Sequence, residues 1–215
     1  MKELFLDIES HILEDEKPSI YLQKLLEEGD LNESPFTMIR DMKETPQEPK
    51  HHPEGNVWNH VMMVLDRAAK YRVLSKDKRV FMWAALLHDI GKFPTTKLRK
   101  GRITSYDHDK IGEQMSIDFL KCFTEDKETI YKISKLIRYH MHSLFVLNKL
   151  PFANISKMVE ETSLYELGLL SLCDRLGRGG INKDKEKEVE NNINEFLHIV
   201  SETTGDLPIK LSLLI

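Results

Sequence analysis

Between residues 56 and 176 the apolar residues recur at three- and four-residue spacing in stretch after stretch, and none shows the strict alternation of a half-buried strand. The pattern predicts helices over about 56–72, 77–90, 108–122, 127–142 and 163–176, with a short turn around 152–160. A chain patterned in this way has to bury helix against helix, so the expected fold class is an all-α helical bundle. Gly91 followed by Pro94 stops the second of these helices, and Ser163 with Glu166 forms a capping box for the last.

The flanks divide the chain into three parts. Residues 1–45 read as short N-terminal helices broken by Pro18 and Gly29, an appendage packed on the core through Tyr21, Leu22, Leu25 and Leu26. Prolines 46, 49 and 53 with Gly55 make an extended loop opening the central domain of residues 46–182, and Asn56 is placed to cap the first of its helices. Residues 183–215 open on the charge run KDKEKEVE and continue as a C-terminal helix to about residue 200 with Val189, Ile193, Phe196, Leu197 and Val200 on one stripe. The apolar end, LPIKLSLLI, is expected to dock either on the body or on a second subunit, so a homo-oligomer stays open.

Composition excludes several classes. No apolar run reaches the roughly 18 to 20 residues of a membrane helix, and the first residues mix acids with apolar residues instead of forming a signal peptide, so a cytoplasmic location is expected. Cys122 and Cys173 lack metal or disulfide spacing and are expected in the core. A formal net charge of −4 argues against a broad grip on polyanions and leaves room for a local basic patch around a phosphate pocket.

The chemistry rests on a set of residues. His60 falls on the buried side of its helix, three after Val57 and four before Val64, and His88 follows Ala84 by four. Asp89 comes next, at a helix C-terminus, where a carboxylate is disfavoured by the macrodipole unless a cation compensates. Asp174 lies in LYELGLLSLCD, apolar on nearly every side, and must be either ligated or paired with an arginine such as Arg138 or Arg175. Two imidazoles and two carboxylates suit Mn, Ni, Fe, Co, Mg or Zn and leave positions for water and a phosphate oxygen. His108, set on one face with Ile111, Met115 and Phe119, and His140, behind Ile133 and Leu136, would either hold a second ion or support the first. His142, His11 and His198 are read as incidental.

His60, then His88-Asp89 in LLHDIGK, then Asp174 resembles the H…HD…D signature of the HD-domain superfamily of metal-dependent phosphohydrolases. PQEPKHHPEGNVWNHVMMVLD and CDRLGRGG are similar to the HD domain of bacterial tRNA nucleotidyltransferases over roughly residues 20 to 182. The resemblance implies an HD helical bundle, one or two divalent ions per chain, and hydrolysis of a phosphomonoester or of a nucleotide phosphodiester such as a 2′,3′-cyclic nucleotide. No GG or GS motif with a following DxD pair occurs, so CCA addition is not expected. The spacing from His108 to His140 also resembles the longer pattern of dinuclear HD phosphodiesterases, but HMHSLFVLNKLP lacks the GYP element of the cyclic-di-GMP branch.

The activity expected is metal-assisted hydrolysis, in which a bound cation activates water and polarises a phosphoryl oxygen. Asp89 would bridge two ions or take the water's proton, and Lys92 would offset charge on the phosphate or stand as a solvated loop lysine. Arg178 and Arg175 would contact phosphate oxygens, the glycines beside them allowing close backbone approach, or merely cap a helix. His52, Glu54 and Asn56 line the rim or shape the turn. The partner is then a phosphorylated small molecule, a nucleotide or an RNA end. A nonhydrolytic nucleotide- or RNA-binding module with a structural metal is the competing reading.

Overall fold

The structure is a computed structural model that describes residues 1–213. Helices α1 (Lys2–Glu14) and α2 (Pro18–Glu28) lead through a short α3 (Thr37–Arg40) and the proline loop into α4 (Val57–Tyr71) and α5 (Lys78–Leu87). A single turn, α6 (Lys92–Thr95), precedes a hairpin of β1 (Thr96–Arg99) and β2 (Arg102–Ser105). Helices α7 (His108–Lys121), α8 (Lys127–Tyr139), α9 (His142–Leu147), α10 (Ile155–Glu161), α11 (Leu164–Leu176) and α12 (Lys183–Thr204) complete the bundle.

The helix starts follow from side-chain caps. Asn56, Asp77, Asp126, Asn154, Ser163 and Asn182 each accept a backbone N–H from the first turn of the following helix, satisfying a donor that has no intrahelical partner. The amphipathic stripes then pack together. Helix α4 lies between α5 and α11, and α8 packs on both α7 and α5. Val61, Val64, Leu65, Phe81, Ala84, Ile133, Leu167 and Leu170 are fully buried where these helices meet.

The N-terminal helices share this core. Phe5 of α1 stacks on Trp83 of α5 at 4.6 Å, and the Trp83 indole N–H donates to Glu9 at 2.7 Å. Helix α2 is tied to α4 where Ser19 donates to Asp66 and Trp58 donates to Gln23. At the other end the tail docks on the body: Leu211 is buried, and Asn194 of α12 exchanges two hydrogen bonds with its backbone. Leu214 and Ile215 of the expected apolar tail lie outside the described residues.

Several expectations are corrected. The hairpin is a strand pair where none was expected. Its strands have only four residues each and turn through Lys100 and Gly101, both at positive φ, so neither the length nor the residue at the first turn position gives the usual signal. Helices α5 and α8 stop at Leu87 and Tyr139, short of 90 and 142, which leaves His88 and His140 as their C-caps. On α7 the buried face runs through His108, Gly112, Ser116, Phe119 and Leu120, while Ile111 is exposed. Cys122 is exposed and only Cys173 is buried. His142, read as incidental, is buried against Tyr139 and Phe145, which leaves that reading standing.

Candidate metal centre

Four histidines point their rings into one buried space, and three of them are fixed in the same way. His88 and His140 at their helix ends, and His108 at the start of α7, each hold Nδ1 within hydrogen-bond distance of the carbonyl three residues earlier: Ala85 at 2.9 Å, Ile137 at 2.6 Å and Ser105 at 2.7 Å. A carbonyl can only accept, so Nδ1 carries the hydrogen in each ring and a neutral ring leaves the Nε2 lone pair facing inward. His60, in the first turn of α4, has no such carbonyl: its Nδ1 makes no aligned hydrogen bond and faces the Glu54 carboxylate, whose Oε1 lies 3.0 Å away. The Nε2 of His60 is 3.0 Å from Asp174 Oδ1.

Asp89 stands between two groups of imidazoles. Its Oδ2 lies 3.4 Å from His88 Nε2 and 3.8 Å from His60 Nε2, while its Oδ1 lies 3.5 Å from His108 Nε2 and 3.7 Å from His140 Nε2. The ligand atoms of His60, His88 and Asp174 lie within 4.8 Å of one another, and so do those of Asp89, His108 and His140. All six residues are buried.

The turn that carries Asp89 is set by a close approach. A Cβ on Gly91 would meet the His108 carbonyl oxygen at 2.1 Å and the Gly112 nitrogen at 2.5 Å, so only glycine lets the end of α5 lie against the start of α7. That contact brings Asp89 opposite His108. Glycine 177 plays a similar part, since a Cβ there would meet the backbone of Val64 on α4 at 2.7 Å. Of the glycines in DRLGRGG, Gly177 thus serves helix packing, while Gly179 lies against Pro53 and Glu54 of the proline loop and Gly180 takes a positive φ.

The electrostatics favour a cation. Burial works against the charge of Asp89, but Lys92 and His88 outweigh it and hold the carboxyl well below the usual range. Burial likewise opposes Asp174, and His60 with Arg178 outweighs it. Burial lowers His88, yet Asp89 and Asp174 raise it above its ordinary value, which marks this end of the site as short of positive charge. Burial pushes His108 and His140 down to about 4, so both rings are neutral ligands in waiting near pH 7. The His88 Nε2 is buried with no hydrogen-bond partner. Imidazole nitrogens and carboxylate oxygens around an orphaned Nε2 fit one or two divalent ions.

The remaining residues sort themselves around this centre. Lys92 is buried rather than solvated, its Nζ 2.7 Å from Asp89 Oδ2 and donating to Gln47 at 2.7 Å. Arg138 pairs with Asp109 instead of Asp174, whose nearest guanidinium is Arg178 at 3.9 Å. Arg175 and Arg178 line a cavity of about 460 Å³ that opens beside Lys92 and His108, with His51, His52 and the β2 residues on its other sides. Glu54 is the residue that sequence reasoning underrated. It accepts from the Gly179 N–H at 3.0 Å and pairs with His52 and His60, and although burial opposes its charge these partners hold it well below the usual carboxylate range. The signal available was an acid beside two histidines in a proline loop. His142, His11 and His198 lie outside the clusters that meet here.

A helical bundle that gathers His, His-Asp and Asp in this order defines the HD class, and comparison with known proteins agrees. The HD domain family model matches residues 57–179, more than half of the chain, and the protein belongs to that family of metal-dependent phosphohydrolases, whose members bind divalent metals. The chain is 32% identical over 99 residues to the multifunctional CCA protein of Pseudomonas syringae pv. syringae, covering 46% of this chain and 23% of that protein. It is 36% identical over 88 residues to that of Teredinibacter turnerae, covering 41% and 20%. It is 24% identical over 198 residues to that of Haemophilus influenzae, covering 88% and 47%. The chain thus spans less than half the length of these relatives. Among its described residues no helix is long and apolar enough to cross a membrane.

Proposed function

We propose that the protein is a divalent-metal-dependent phosphohydrolase acting on a phosphomonoester or on a nucleotide phosphodiester such as a 2′,3′-cyclic nucleotide. One observation carries the reading: the two oxygens of Asp89 face different imidazole pairs, Oδ2 toward His60 and His88, Oδ1 toward His108 and His140. His60, His88, Asp89 and Asp174 would hold one ion, and Asp89, His108 and His140 a second. Such ions supply a reactive water nucleophile at neutral pH and polarise the phosphoryl oxygen.

The chain's own residues do the rest. Lys92 fixes the Asp89 carboxylate from one side and leaves its inward lone pairs for ligation or for accepting a proton at Oδ1. Arg175 and Arg178, on the wall of the cavity, orient the phosphate by charge-assisted hydrogen bonds. Burial of the six ligands keeps bulk water out of the centre, so these charges act in a low effective dielectric.

The test is metal content and turnover together. Protein stripped with chelator and reloaded with Mn, Ni, Co, Mg or Zn is assayed on phosphomonoesters, 2′,3′-cyclic nucleotides and cyclic dinucleotides. Metal-dependent turnover that vanishes in Asp89→Asn supports the proposal. Stoichiometric metal without turnover on any of these substrates would instead favour a nonhydrolytic nucleotide- or RNA-binding module.

A further inference from the structure

We infer that the β1–β2 hairpin is a binding arm for single-stranded nucleic acid, which delivers a phosphorylated strand end to the metal centre. Residues 90 to 106 carry Lys92, Lys97, Arg99, Lys100 and Arg102 and no acidic residue, in a chain whose formal net charge is −4. The register sets Lys97, Arg99, Arg102 and Thr104 on one face of the ribbon, with Arg99 directly opposite Arg102. Like charges at opposed positions destabilise a strand pair, and no ion pair to Lys97, Arg99, Lys100 or Arg102 forms among the described residues. Lys100 adds a second local cost, a side chain held at φ +50 in the turn. A polyanion along this face offsets the charge repulsion.

The aromatic component is also present. Tyr106 at the base of β2 is 65% exposed, with the Arg99 guanidinium 4.8 Å from its ring centre, and Phe93 is 46% exposed just before β1. Cations interleaved with exposed rings are how sequence-tolerant single-strand sites are built, the rings stacking bases and the cations following phosphates. The arm adjoins the candidate centre. Ile103, Ser105 and Tyr106 wall the same 460 Å³ cavity as Arg175 and Arg178, and the Ser105 carbonyl fixes His108. Thr104 of the basic face also lines this cavity, so a strand that follows that face past Thr104 enters the space that His108 borders. This inference deepens the phosphohydrolase reading by naming its substrate as an oligonucleotide end, and its binding half does not depend on that reading.

The experiment uses the full chain and a triple variant, Lys97→Gln with Lys100→Gln and Arg102→Gln, all at exposed positions outside the centre. Binding of a fluorescein-labelled single-stranded oligoribonucleotide of about ten nucleotides is followed by anisotropy in the presence of chelator, across a salt series. The expected result is at least about tenfold weaker binding by the variant and a log–log salt slope shallower by about 2, as loss of three phosphate contacts requires. Turnover of a small phosphomonoester by the metal-loaded variant should be unchanged, which shows that it folds, while kcat/KM on an end-phosphorylated oligonucleotide falls in step with binding. Equal oligonucleotide affinity in variant and parent would overturn the inference. So would hairpin-dependent sedimentation with phosphatidylserine vesicles in place of oligonucleotide binding, or equal preference for a duplex. If neither protein turns over any phosphoester, the hydrolase reading fails while the anisotropy series still decides the arm.

Discussion

His108 and His140 meet through their Nε2 atoms at 3.2 Å, each with Nδ1 already committed to a backbone carbonyl. Two neutral rings so placed direct lone pairs at each other, an arrangement relieved by a proton or a cation between them. With both rings pushed down to about 4 by burial, a cation is the better occupant near pH 7. Reloaded protein is therefore expected to bind about two divalent ions per chain. His108→Ala with His140→Ala should hold about one, and Asp89→Asn should weaken both sites. Elemental analysis after gel filtration checks this, and a double variant that keeps the full complement would remove these histidines from the ligand set.

Metal should raise stability without being required for folding. The core contributed by Phe5, Trp83, Phe119, Val64, Leu167 and Phe196 closes without the centre, so the chelated protein is expected to melt cooperatively. An ion at a hundredfold excess over its Kd adds about 2.7 kcal/mol, or roughly 5–10 °C in Tm for a chain of this size. Differential scanning fluorimetry with and without chelator measures it. Loss of the transition on chelation would identify a structural brace instead.

Gly91 gives a local test of how the bundle builds the site. Gly91→Ala places a methyl group 2.1 Å from a backbone oxygen that cannot rotate away, whereas Gly112→Ala meets the Cγ2 methyl of Ile137 at 3.2 Å and the Gly91 nitrogen only at 3.4 Å. Overpacking of the first kind costs about 1–3 kcal/mol or more. Gly91→Ala should also displace Asp89 from His108, so that metal binding falls further than stability does. Gly112→Ala should be nearly silent. Equal effects of the two substitutions on metal affinity would sink the argument.

Much of the bundle could be read from the sequence because its helices are amphipathic and carry side-chain caps at their starts. Asn56 and Ser163 marked two of those starts correctly. The helix ends were less legible. Leu87 and Tyr139 are followed by residues that would extend the apolar pattern, yet the chain turns there so that His88 and His140 can reach inward from a cap. The hairpin was missed because a Lys-Gly turn gives little warning of a left-handed backbone. The six His and Asp residues that gather in the centre were legible as a set, from their inward spacing and their order along the chain. Their division around the two oxygens of Asp89 was not, since it depends on the approach of α5 to α7. Arg138 and Cys122 were misplaced because partner and exposure are set by tertiary packing rather than by spacing.

Glu54 offers the sharpest test of the support around the ligands. It does not line the cavity beside Lys92 and His108, but it lies 3.0 Å from the Nδ1 of His60 and anchors the backbone of Gly179, so it orients the one histidine that has no carbonyl to hold it. Loss of such a partner typically weakens metal binding by about 10–100-fold. Glu54→Ala is expected to do so for the ion on the His60 side and to leave the His108–His140 side near its original affinity. Glu54→Gln keeps a neutral acceptor and should fall between. Metal titration by isothermal calorimetry resolves the two sites. A uniform loss at both, or no loss in Glu54→Ala, would show that Glu54 shapes the loop and nothing more.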